Sequence, residues 1–167
     1  MRVRQGGVVR EGMMMRNSGE IHEFNPIIYP CRIWVTINPS YESISEKFYA
    51  VSTEMERMDI EPRQFEEDYF SIASTCPVAI KQGGWIGLLV CIWKPKGLNV
   101  DTICHESVHC SDFICEQFGI TNGSFDNGEA YAYLTGWIAG CIEKVKKGTV
   151  SHRSPTNENK SSHLLHE

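Results

Sequence analysis

The chain has 167 residues, 41% of them hydrophobic, and a formal net charge of −5, which suits one domain large enough to bury a real core. The acidic balance, with no Lys/Arg run through the middle of the sequence, excludes a general nucleic-acid binder. No stretch reaches the roughly 18 apolar residues of a membrane span, and Met1 to Gly7 lacks the apolar run of a signal peptide, so a cytoplasmic protein is expected.

In chain order, residues 1–20 are basic and Gly-rich and carry Met13, Met14 and Met15, which reads as a disordered tail. Arg2, Arg4, Arg10 and Arg16 belong to that solvated tail. Ordered structure is expected from Ile27 to Pro30. Arg32 to Ile37 alternates and is β-rich, a strand ended by Asn38 and Pro39. Tyr41, Ile44 and Phe48 stand near helical spacing, so Ser40 to Tyr49 reads as a helix capped by Ser40. Residues 50–68 are acidic, rich in Met and interrupted at Pro62, a solvent-facing connection with some local helix.

A hairpin follows. Tyr69 to Ile80 is β-rich, and Pro77 within it points to an edge or a bulge. Gln82, Gly83 and Gly84 mark the turn. Trp85 to Trp93 is a nearly continuous apolar strand, stopped by Lys94 to Gly97. Asn99 to Thr102 offers capping residues for a helix from Ile103 to Phe118, and Gly119 offers its stop. A second helix runs from Asp126, capped by Asp126 or Asn127, to Val145. Lys144, Lys146 and Lys147 suit its C-terminal dipole, and Gly148 ends it. Residues 148–167 read as a mobile polar tail, which leaves 21–147 as the domain. His22, His152, His163 and His166 are taken as surface histidines. The seven cysteines include no Cys-x-x-Cys pair and read as small buried hydrophobes.

The informative motif is His105-Glu106-Ser107-Val108-His109. On a helix, residues four apart lie one turn apart on nearly the same face. Two imidazoles so placed can grip one Zn²⁺, with the glutamate between them as general base on a metal-bound water. The helix is mostly apolar, so the histidines are expected in a buried or cleft-lining segment. Catalytic zinc usually takes three protein ligands and leaves one position for water. Glu129 is acidic near the start of an otherwise apolar helix. It is either a first-turn glutamate favoured by the dipole or the third ligand. Tyr133, one turn later on the same face, is either a core tyrosine or a donor to the developing oxyanion. Tyr131 points roughly 160° away from Glu129 and is the weaker choice for that role.

His105-Glu106-x-x-His109, followed by Glu129 twenty residues after the second histidine, resembles the gluzincin class of zinc metallopeptidases. Gly128 to Tyr133 also resembles small phage- and prophage-encoded proteins of the zincin type. The resemblance to the class covers residues 99–145, and that to the phage proteins extends more loosely back to about residue 25. It implies a small zincin-like α+β domain, with an antiparallel sheet packed against the motif helix and a second helix carrying the glutamate. His105, His109 and Glu129 would be the ligands and Glu106 the general base. Thermolysin-like enzymes place an aspartate one turn after the third ligand to orient a histidine. Here that position is Tyr133, so the orienting group differs.

The resulting expectation is a zinc metallopeptidase in a bacterial or phage-infected host cell. Its substrate is a peptide or protein, with no nucleic acid and no membrane partner. A strand within residues 69–93 either pairs with the substrate backbone or simply covers the core. The alternatives are a non-catalytic zinc protein, with Cys104 or Cys110 as a further ligand, acting through protein–protein interaction, and a degenerate site that binds no metal.

Overall fold

A computed structural model describes residues 19–120 and 128–148. The expected N-terminal tail, most of the C-terminal tail, and the caps at Asp126 and Asn127 lie outside the described residues. The architecture is α+β. Six strands form one sheet: β1 (Ile21–Phe24), β2 (Arg32–Ile37), β3 (Phe48–Val51), β4 (Arg57–Met58), β5 (Ala73–Ile80) and β6 (Ile86–Ile92). The helices are α1 (Tyr41–Ser45), α2 (Pro62–Asp68), α3 (Val100–Gln117) and α4 (Glu129–Lys146), with a 3-10 turn at Pro95–Gly97. Among the described residues, no helix is long and apolar enough to cross a membrane.

The strand order is β1-β2-β6-β5-β3-β4. The expected antiparallel sheet is corrected to a mixed one, because β2 and β6 run parallel, with Arg32 opposite Gly87 and Ile37 opposite Ile92. Both of these strands are buried on both faces, which suits strongly apolar strands to the centre of the sheet. Ile33, Val35, Leu88, Val90 and Ile92 enter one core with α3 and α4. Trp34, Leu89 and Cys91 enter the other with Ile44, Phe48 and Trp93.

The helix expected over Ser40 to Tyr49 is half that length. Ser40 does cap it, accepting from the Ser43 amide at 3.1 Å, but it ends at Ser45 and Phe48 opens β3. Phe48 is fully buried with its ring 5.0 Å from Trp34, so packing overrides the helical spacing. Pro62 opens α2 rather than interrupting it, because the first helical position needs no N–H. Order begins before Ile27, with β1 antiparallel to β2. His22 on that strand is buried, not at the surface, and lies 3.7 Å from Glu20.

α3 and α4 cover the first face. Ile114, Ile138 and Ile142 are fully buried there, and each contributes roughly 1.5–3 kcal/mol. That outweighs the helix-propensity cost of a β-branched residue, under about 1 kcal/mol. The helices meet along small polar residues. The Ser107 hydroxyl donates to the Ile103 carbonyl at 2.7 Å and that of Ser111 to the Ser107 carbonyl at 2.9 Å. Thr135 Oγ1 lies 2.8 Å from Ser111 Oγ, so the buried hydroxyls at the seam are bonded rather than orphaned.

Candidate metal centre

The motif helix has the expected capping signals but opens at Val100, three residues before the expected Ile103. Asn99 Oδ1 accepts from the Thr102 amide at 2.9 Å, and Gly119 ends the helix at φ +61°, a conformation that favours glycine. Ile103, Glu106, Ser107, Cys110, Ser111, Ile114 and Cys115 form its buried face. His105, Val108, His109 and Asp112 lie on the exposed side. The histidines are thus solvent-facing, with His105 lining a cleft, the second of the two expected placements, and Glu106, about 100° round the helix from His105, is turned inward and buried.

The two histidines converge. Their Nε2 atoms are 3.0 Å apart and the rings meet edge to face, with centroids at 4.5 Å. Two nitrogens each about 2.0–2.1 Å from one tetrahedral zinc stand roughly 3.3–3.4 Å apart. The pair therefore fits one ion with a shift of a few tenths of an ångström. At 3.0 Å it can also share an N–H···N hydrogen bond, one ring donating.

Glu106 is held from the sheet. The Thr75 hydroxyl on β5 donates to Glu106 Oε2 at 2.6 Å, which supplies a bonded partner to a carboxylate otherwise costly to bury. Beside this contact, burial pushes the Cys110 thiol well up, with the Thr75 hydroxyl opposing and the Glu106 charge adding to the rise. Cys110 lies wholly in the core, apart from the histidine side of α3. An open cleft of about 340 Å³ leads to Glu106, lined by Ile72, Ala73, Asp101, Thr102, His105 and Glu106.

Glu129 is the first residue of α4 and is exposed. The Tyr131 hydroxyl donates to Asp112 Oδ1 at 2.8 Å, and Thr135 meets Ser111. α4 therefore runs back along α3, with its first turn level with the helix beyond His109. Among the described residues, no three His, Cys, Asp or Glu side chains are grouped to hold a metal. The structure brings His105 and His109 together and does not add Glu129 or a cysteine to them. Tyr133 is 76% exposed and lines a separate recess with Ile28, Tyr29 and Trp137. It is Tyr131 that reaches α3, and burial raises its phenol to about 12, helped by the bond to Asp112.

Sequence reasoning missed Thr75. Its only signal was a hydroxyl on the face that β5 shares with Ala73 and Pro77, where the neighbouring strand presents Val90 and Ile92. The chain matches no family model, no curated protein and no solved structure at a significant level.

Proposed function

We propose that this chain is a zinc-dependent hydrolase of peptide bonds with a zincin-like site. The observation that carries the reading is the convergence of the His105 and His109 Nε2 atoms at 3.0 Å, with Glu106 opening on the adjacent cleft. His105 and His109 would hold the ion. We assign Glu129 as the third ligand on its carboxylate chemistry and its place at the start of the helix packed along α3. Zinc bound there would supply a Lewis acid and a water acidic enough to ionise near neutral pH.

The chain's own residues do the rest. Glu106 takes a proton from the attacking water and returns it to the departing nitrogen. Thr75 fixes that carboxylate through Oε2, leaving the other oxygen for the proton. The backbone of β5 beside the cleft offers hydrogen bonds to an extended peptide. Tyr133, which lines a separate recess, is given no step.

The test is cleavage of a mixed peptide library by zinc-loaded protein, with Glu106→Gln alongside. The expected result is cleavage by wild type and at least a hundred-fold loss in the variant, which keeps its zinc. Equal cleavage by both would remove Glu106 from the mechanism. Zinc binding without any cleavage would leave the non-catalytic zinc protein.

A further inference from the structure

β3 leaves β5 early. The register pairs Phe48 with Ile80, Tyr49 with Ala79 and Ala50 with Val78, while Val51 is paired only on the opposite edge, with Arg57 of β4. Among the described residues, Ala73 to Pro77 therefore has a strand on its β6 side only. Pro77 stands at the first position past the β3 ladder and has no N–H to leave unpaired.

Where the two strands part, a cavity of about 310 Å³ opens on the second face of the sheet. Leu89, Cys91 and Trp93 of the β6 segment line it, with Cys76, Val51 and Phe65 around them. Its lining is apolar apart from Asp68 and the hydroxyls of Ser52 and Thr53. Trp93 is fixed there, its indole N–H donating to Ser74 Oγ at 2.9 Å.

The two faces of this edge are one residue apart. Thr75 points to the first face and bonds Glu106, while Cys76 points to the second face and lines the cavity. A peptide extended along the edge alternates in the same way. When one of its residues lies over Glu106, the next presents its side chain to the cavity side.

We infer that this cavity is a specificity pocket for a large apolar side chain of an extended peptide, adjacent to the residue presented to Glu106. The inference rests on the hydrolase reading for its meaning, yet it is tested by binding alone. The probe is the capped peptide acetyl-Thr-Xaa-Thr-Xaa-Thr-amide, with Xaa as Leu, Phe, Ala or Glu. It is titrated into full-length, isotope-labelled Glu106→Gln protein and followed by amide and indole NMR signals.

The Leu and Phe peptides are expected to bind at least ten-fold more tightly than the Ala and Glu peptides. They should move the Trp93 indole and Cys76 amide signals. Ala50→Phe, which fills the cavity from β3, should abolish the preference while the Ser74 and Thr75 amides still respond. If that variant does not fold, Ala50→Val serves with a smaller loss. Equal affinity for Leu and Ala, or a Leu preference that survives filling, overturns the pocket. Either of those results beside zinc-dependent cleavage removes the pocket alone. Absence of zinc binding and cleavage removes the hydrolase reading, whatever the peptides do.

Discussion

The Thr75 hydroxyl and the Glu106 carboxylate, 31 positions apart in sequence, meet at 2.6 Å across the junction of β5 and α3. This bond links the sheet to the proposed proton-transfer group. Thr75→Val keeps the shape and removes the donor, leaving a buried carboxylate short of a partner. A loss of about 1–3 kcal/mol in unfolding free energy is expected, with Thr75→Ser close to wild type. Urea denaturation checks this, and a Val variant as stable as wild type would mean the bond is not held in solution.

Gly87 is demanded by backbone contact. A Cβ there would lie 2.0 Å from the Arg32 carbonyl oxygen, in the parallel β2–β6 pairing at the centre of the sheet. Gly87→Ala is expected to cost about 3 kcal/mol or more, read from chemical denaturation. Gly136→Ala, in open space on α4, should instead stabilise slightly, by up to about 1 kcal/mol.

All seven cysteines are free thiols, and Cys104 is the exposed one. Burial raises Cys31 to about 11 and Cys76 and Cys141 to about 12, which suppresses their thiolates. Alkylation at pH 8 is therefore expected to modify Cys104 quickly, the half-buried Cys76 slowly, and the five buried cysteines only on unfolding. Mass spectrometry of the native and denatured protein separates the two cases. Rapid labelling of Cys110 in native protein would contradict the core placement.

The same groups set the alkaline limit of stability. Desolvation raises Cys31, Cys76 and Cys141 above 9.0, and Tyr131 above 10.0. The native state thus holds these protons after the unfolded chain has released them. Their contribution is full below the unfolded values and is lost as pH rises through the folded ones. Melting temperature should fall steadily from about pH 9 towards pH 12. A flat profile over that range would show that the burial is not maintained.

The locally coded parts of this fold were legible. Asn99 and Gly119 bracket α3, Gly83 and Gly84 turn β5 into β6, and Gly148 ends α4. Pro77 marked the point where the outer ladder stops. What could not be read depends on distant partners. Phe48 spaces like a helix residue yet belongs to a strand because Trp34 receives it. The parallel pairing of β2 with β6 depends on the order in which the strands enter the sheet, which a continuous apolar run does not reveal. The motif histidines were legible as a pair. Their exposure was not, because the apolar residues of α3 gather on the opposite side, and neither was Thr75, which reaches Glu106 only through the folded sheet.

Zinc binding by titration calorimetry, with His105→Ala, His109→Ala and Glu129→Ala in parallel, tests the proposed His105–His109 zinc site most directly. About one zinc per chain is expected in wild type. Both histidine variants should lose at least a hundred-fold in affinity, and Glu129→Ala at least ten-fold. A folded wild-type protein that takes up no zinc, or a His105→Ala variant that binds it as tightly as wild type, would rule out a zinc site at His105 and His109.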